Sequence, residues 1–229
     1  MWNKITGIIG PSGSGKSHEA ARMMQLAKRA AVYQLVRRDA NFLSAATDIF
    51  DGDIRGFCRA LAQDDFRFIY RVGESSKRVE NNRIIFTDFE PFIRCCFERE
   101  HMLMIIDEAH YLCNPRYIPT FFWDSIVTGR HAFLDICYVT QRFSMVHHDL
   151  TANTKEFLFW QITEPSDLKA IAERCGDEIA EKVSRLRCTV DNREVGGTLT
   201  PGEMLRWNTQ QGEVNNGDNS EVYPLQRDS

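Results

Sequence analysis

Two stretches of this sequence combine residue types and spacings that could do chemistry. The first is Gly10-Pro11-Ser12-Gly13-Ser14-Gly15-Lys16-Ser17, followed by His18. Glycines let a backbone curl until successive N–H groups point into one concavity, and a helix starting there adds unpaired amides and a positive dipole end. Such a nest favours polyphosphate. In the spacing G-x-x-x-x-G-K-[ST], the Walker A loop, the lysine reaches the β- and γ-phosphates and the hydroxyl of Ser17 ligates the Mg²⁺ that bridges them. A Gly/Ser-rich turn ahead of a helix would use the same residues, but here an apolar run, Ile5–Ile9, precedes the loop and a helix-forming segment follows it, as the motif requires.

The second stretch is His101-Met102-Leu103-Met104-Ile105-Ile106-Asp107-Glu108, an apolar strand ending in two carboxylates, the Walker B pattern with an additional glutamate. Asp107 can hold Mg²⁺ through its water shell. Glu108, one residue on and pointing elsewhere, can polarise the water that attacks a γ-phosphate. The pair favours hydrolysis over transfer to a small substrate. Ala109 and His110 extend it to D-E-A-H, a helicase-like string, yet a helicase of that kind needs two tandem domains and 229 residues hold only one.

The elements that must position these groups alternate between strand and helix. Residues 17–29 read as a helix, Ala31–Val36 as a strand, Ile54–Gln63 as a helix and Phe66–Val72 as a strand. Thr87 or Asp88 caps a helix through Phe97, with Pro91 tolerated in its first turn. Thr120–Thr128 is a short helix, Phe133–Thr140 a strand ending in Gln141-Arg142, and Lys155–Ile162 a further strand. Helices follow over Glu164–Cys175 and Asp177–Leu186. The expected fold is α/β: a single RecA-like (ASCE) P-loop NTPase domain with a mainly parallel sheet between helices. Residues 1–207 form the folded unit, and 208–229 is a polar, disordered tail or docking arm.

The charge balance, 28 Lys+Arg against 32 Asp+Glu, gives a net of -4, so no global basic field advertises nucleic acid. Contact with DNA must come from a local patch or from a ring of subunits summing their basic loops; 37–39, 73–83 and 142–149 are the candidate segments. Adjacent His147 and His148 on a polar loop, without a third ligand, do not read as a metal site. Seven cysteines without C-x-x-C spacing and without a secretory leader fit a reducing compartment, with Cys95, Cys96 and Cys137 as small core residues. No apolar run approaches the ~18 residues of a membrane span.

The order Walker A, Walker B with D-E-A-H, Gly129-Arg130, Thr140-Gln141-Arg142, Asn153 and Asp167-Leu168 resembles the HerA/FtsK superfamily of ring-forming DNA translocases over roughly residues 3–175. That superfamily includes viral genome-packaging ATPases and the Zot-like proteins of filamentous phages. The resemblance implies that Gln141 senses the γ-phosphate and that Arg130 enters the neighbouring subunit's nucleotide pocket, with Arg142 as the other candidate finger. Arg130 also suits a plainer role as a helix C-terminal cation. It further implies ATP and Mg²⁺ as ligands, and a homo-oligomeric ring, pentamer or hexamer, that moves double-stranded DNA in the host cytoplasm and docks on a capsid vertex or portal protein.

A chain that starts close to its first strand, with no added barrel, anchor or DNA-reading domain, looks more like the packaging enzymes than the cellular members. The form of its Walker A and the lack of a C-terminal membrane segment count against Zot-like export. A Zot-like assembly ATPase, a nucleotide-dependent switch and a small-substrate kinase are the alternatives.

Overall fold

In a computed structural model, residues 4–35, 40–80, 83–188, 190–191, 199–200, 202–209 and 220–224 are described. The chain opens with β1 (Ile5–Ile9), α1 (Lys16–Leu26), β2 (Arg29–Gln34), α2 (Ala40–Ala45), β3 (Asp48–Asp51), α3 (Ile54–Ala60) and β4 (Phe66–Arg71). A hairpin of β5 (Lys77–Glu80) and β6 (Arg83–Phe86) leads into α4 (Phe89–Arg99), β7 (Met102–Ile106), α5 (Thr120–Thr128), β8 (Leu134–Thr140), α6 (His148–Asn153) and β9 (Glu156–Phe159). Helices α7 (Pro165–Cys175) and α8 (Asp177–Arg185) precede the strands β10 (Val190–Asp191), β11 (Leu199–Thr200), β12 (Glu203–Asn208) and β13 (Ser220–Pro224).

One nine-stranded sheet carries the fold, in the order β13-β12-β9-β1-β8-β7-β2-β4-β3. From β9 to β3 every pairing is parallel; β12 joins β9 antiparallel, and β13 joins β12 antiparallel. The central strands read as continuous apolar runs because helices cover both faces. One face carries Ile8, Val32, Ile105, Cys137 and Val139, packed against Ala20, Ala21 and Met24 of α1 and Phe42 of α2. The other carries Ile9, Tyr33, Met104, Ile106, Ile136 and Tyr138, packed against residues such as Phe57, Phe92, Phe122, Ile171 and Val183 of the remaining helices.

Several expectations shift. Residues 40–53 contain a helix and an edge strand the sequence did not disclose, and the stretch expected as a loop at 73–83 holds a single turn over Glu74–Ser76 and the strand β5, which pairs antiparallel with β6. Of the proposed DNA-facing segments, 37–39 and 81–82 lie outside the described residues. The sheet also runs past the boundary drawn at 207, because Ser220–Pro224 pairs with β12; the rest of the expected tail from 210 on lies outside the described residues. Asp88 stands at the start of α4 but makes no capping bond. Its carboxylate is buried and accepts from Tyr33 Oη at 2.5 Å and Tyr70 Oη at 2.7 Å, which with burial raises both phenol pKa values.

Cys96 and Cys137 are buried, as expected of core residues. Cys95 is not a free thiol: it forms a disulfide with Cys58, joining α4 to α3 across a Cα–Cα distance of 5.6 Å. That pairing departs from the reducing-compartment reading. Two cysteines 37 residues apart in sequence give no local signal of being partners.

Candidate functional site

Parallel strands deliver their C-terminal ends to one edge of a sheet, and crevices at that edge take ligands. Here β1, β7 and β8 bring the loop 10–15, Asp107-Glu108 and Gln141 to the same edge. Strand β8 lies between β1 and β7, and Gly10 N donates to Thr140 O at 3.3 Å, tying the loop to the end of β8.

The loop's glycines are there for two separate reasons. Gly13 (φ 76°) and Gly15 (φ 106°) hold left-handed backbone that other residues adopt at a cost, and Gly15 leads into α1. At Gly10 the constraint is space, since a Cβ would come 2.7 Å from Trp160 Cβ. Lys16, the first residue of α1, is 6 % exposed, and its Nζ donates to Pro11 O at 2.6 Å, across the mouth of the loop. An ammonium beside the amides of a helix N-terminus has the chemistry to receive phosphate. Ser14 is buried, Ser17 half-buried and His18 exposed in the first turn of α1.

Asp107 is buried and its backbone N–H continues the ladder to Tyr33 O, 3.0 Å. A carboxylate and the Ser17 hydroxyl are hard oxygen donors of the kind Mg²⁺ takes, with water and phosphate completing its shell, so the residues present fit that ion. Glu108 sits in left-handed backbone (φ 51°, ψ 49°), an unusual conformation for a non-glycine residue that turns its side chain away from that of Asp107. Its Oε1 accepts from Gln141 Nε2 at 2.5 Å, and its Oε2 lies 3.4 Å from His110 Nδ1.

His110 is buried and lies 3.1 Å from Thr140 Oγ1. Burial lowers its pKa; the Glu108 carboxylate pulls the other way, and Arg142 and Lys16 add to the lowering. The imidazole is therefore neutral near pH 7 and leaves the Glu108 charge uncompensated, and Glu108 Oε2 is buried without a hydrogen-bond partner among the described residues. The sequence gives His110 as a neighbour of the acid pair, and the structure places it there; its contact with Thr140 was not foreseen. The signal was the D-E-A-H string itself, whose histidine falls one helical turn beyond the carboxylates.

The two arginines part company. Arg142 Nε donates to Asp167 Oδ2 at 2.8 Å and its Nη2 to Ser166 Oγ at 3.1 Å, with Glu164 at 3.8 Å. Asp167 is 1 % exposed and also accepts from Ser144 N and Ser144 Oγ, so Arg142 is bound into the first turn of α7 within its own chain. Arg130 is exposed in a single turn over Gly129–His131, at the opposite end of β8, and its Nε donates to His131 Nε2 at 3.3 Å. The seven residues of β8 separate the two ends by roughly 20 Å.

His147, His148 and Asp149 bring candidate ligand atoms within 4.8 Å of one another, so Asp149 supplies the third group that the sequence reading lacked. These atoms are already engaged: Trp123 Nε1 donates to Asp149 Oδ2, and Asp149 N donates to His147 Nδ1. Among the described residues no helix is long and apolar enough to cross a membrane.

A P-loop, an Asp-Glu pair at a strand end, and a strand ending in a glutamine inserted between the two define a P-loop NTPase of the additional-strand (ASCE) class. Within that class the chain belongs to the zonular occludens toxin (Zot) family, which residues 5–157 match. The form of its Walker A loop is thus no argument against Zot kinship.

No curated protein matches. Among solved structures the chain is similar to the genome packaging NTPase B204 of Sulfolobus turreted icosahedral virus 2 in complex with ATP-gammaS (16% identity, 98% of each chain, TM-score 0.70). It is also similar to B204, the DNA-packaging ATPase of Sulfolobus turreted icosahedral virus (17% identity, 98% of each chain, TM-score 0.70). The pCW3 conjugation coupling protein TcpA is a more distant likeness (11% identity, 97% of this chain and 60% of that one, TM-score 0.53). At such identities the likeness is one of fold, the α/β fold with a mainly parallel sheet expected from the sequence.

Proposed function

We propose that this protein is an ATP-driven translocase of double-stranded DNA that serves in viral genome packaging, working as a homo-oligomeric ring in the host cytoplasm and docking on a capsid vertex or portal. The observation that carries the reading is the convergence of Lys16, Asp107, Glu108 and Gln141 on one sheet edge, with Gln141 hydrogen-bonded to Glu108.

In this mechanism the amides of the loop and Lys16 grip the β- and γ-phosphates, Lys16 exchanging its bond to Pro11 O for phosphate oxygen. Ser17 and Asp107 hold Mg²⁺, which when bound neutralises charge on the phosphates. Glu108 orients and polarises the attacking water. Gln141 links the strand end to Glu108, so a phosphate oxygen that competes for its amide alters the base at the same moment. Arg130 acts on the neighbouring copy's nucleotide, a reading supported by its exposure at the far edge from its own P-loop; Arg142, held by Asp167, is the weaker candidate.

DNA contact is assigned to the exposed hairpin β5–β6, whose Lys77 and Arg78 would exchange their ion pairs with Glu74 and Glu80 for phosphate. Family membership favours a second reading, an assembly or export ATPase that moves protein or virions. ATPase activity against protein concentration, with and without duplex DNA, tests both. A packaging ring gives activity that rises more than linearly with concentration and is stimulated by DNA in a salt-sensitive way. Activity indifferent to DNA favours export, and activity strictly linear in concentration removes the ring.

A further inference from the structure

A polar row crosses the sheet beside the metal acid. The parallel register sets Asp51 of β3 against Arg71 of β4, and Arg71 against Gln34 of β2. The bond from Asp107 N to Tyr33 O extends the register of β2 and β7 by one step, setting Gln34 against Asp107. Residues in register share a face of the sheet. The four side chains therefore stand in line at the C-terminal edge, on the face that packs against α1 and the P-loop.

The hydrogen bonds along this row fix the direction of the central amide. Asp51 pairs with Arg71 at 3.6 Å, and Arg71 Nε donates to Gln34 Oε1 at 3.2 Å. An arginine has only donors, so the end of Gln34 facing it is the carbonyl. The amino end is turned away from Arg71. Gln34 is 0 % exposed, and its Nε2 has no hydrogen-bond partner among the described residues. A fully buried amide donor left in that state needs a reason, and the register sets the Asp107 side chain on the neighbouring strand.

We propose that Gln34 is a positioning residue for the metal, its Nε2 donating to Asp107 or to a water that Asp107 shares with the ion. The inference rests on the nucleotide-site reading given above and deepens it. Outer partners of this kind orient a ligating carboxylate and its waters without touching the ion. Arg71 keeps the amide from rotating its carbonyl toward Asp107, which would set oxygen against oxygen. The row thereby ties the metal site to β4 and β3 on the side away from the P-loop.

The test measures Mn²⁺ binding by electron paramagnetic resonance on the full chain saturated with ADP, alongside metal-free ADP affinity and thermal melting. Gln34→Met, similar in length but without donors, weakens Mn²⁺ about 10–100-fold while metal-free ADP affinity stays at the wild-type value. Arg71→Met, which frees the amide to rotate, gives a smaller loss in the same direction and decides the matter should Gln34→Met fail to fold. Mn²⁺ affinity within about twofold of wild type in the folded variants overturns the proposal. Asp107→Asn separates this from failure of the parent reading: if it leaves Mn²⁺ binding unchanged, the site itself is misassigned.

Discussion

Replacing Glu108 by glutamine separates the chemistry of this site from its architecture. In the wild type, Glu108 Oε1 accepts from Gln141 Nε2 at 2.5 Å and Oε2 lies 3.4 Å from His110 Nδ1. A glutamine keeps the length, and its carbonyl can still accept from Gln141. Its new amide N–H₂ faces an imidazole that is neutral near pH 7 because burial lowers its pKa, and a neutral ring nitrogen can accept. The fold thus loses one charge-assisted bond and gains a neutral one. A net change of about 1 kcal/mol shifts the melting temperature of a chain this size by only about 2–4 °C.

Hydrolysis is different, since an amide cannot take a proton from water. A positioned general base contributes about 10²–10⁴ in rate, or roughly 2.7–5.5 kcal/mol of barrier. Single-turnover hydrolysis of γ-labelled ATP, run beside equilibrium binding of ATP, reads both quantities. Unchanged binding with a rate lower by about 10² or more is the expected pair. A Glu108→Gln protein that binds ATP and hydrolyses it within about tenfold of the wild type refutes the assignment of Glu108 as base and leaves a nucleotide-dependent switch.

Three further outcomes follow from the geometry. Arg130→Ala lowers ring-dependent turnover by about 10³–10⁵ while monomer nucleotide affinity is retained, measured by ATPase rate against concentration. Arg142→Ala leaves Asp167 buried with only its Ser144 bonds and destabilises the fold by about 1–3 kcal/mol, discounted for the partial exposure of the arginine, as read from urea unfolding. His110 has a folded pKa below its unfolded value of about 6.5, so the unfolded chain binds its proton first as pH falls. Its contribution is intact above that value and declines as pH drops toward the lowered folded pKa; His110→Asn flattens that part of the stability profile, as melting between about pH 7 and 5 will test.

The site was more legible in the sequence than the sheet was. Lys16, Ser17, Asp107 and Glu108 announce themselves because phosphate and metal chemistry dictates both residue type and spacing, and the buried strands beside them are long apolar runs. Strand β3 has the pattern Asp-Ile-Phe-Asp with only Phe50 half-buried, too short and too exposed to show a period. The hairpin β5–β6 hid for a related reason: Lys77–Glu80 is exposed along its whole length, so no alternation of burial shapes its sequence. Asp88 looked like a cap because it precedes a helix, but two tyrosines from β2 and β4 reach its carboxylate first, a tertiary competition that no local pattern encodes. Arg142 stands in the resemblance only as the second candidate finger after Arg130, and nothing local marks its tie to Asp167, which lies 25 residues away.

The two edges of the sheet impose a division of labour. Lys16, Ser17, Asp107, Glu108 and Gln141 lie at the C-terminal ends of β1, β7 and β8, whereas Arg130 lies beyond the N-terminal end of β8, the length of a strand away. A flexible arginine side chain extends only several ångströms, so within one chain Arg130 cannot meet the nucleotide its own P-loop would hold. Two copies stacked edge to edge remove the difficulty, because the N-terminal edge of one then faces the C-terminal edge of the next. That arrangement is heterologous and repeats, and it closes only as a ring or continues as a filament. If Arg130 contributes to turnover at all, a hydrolytic unit spans two protomers, and mixing Arg130→Ala with Glu108→Gln protein must restore activity through the interfaces that pair an intact base with an intact guanidinium. Mixtures no more active than either variant alone would return Arg130 to the plainer role of a cation at the end of α5.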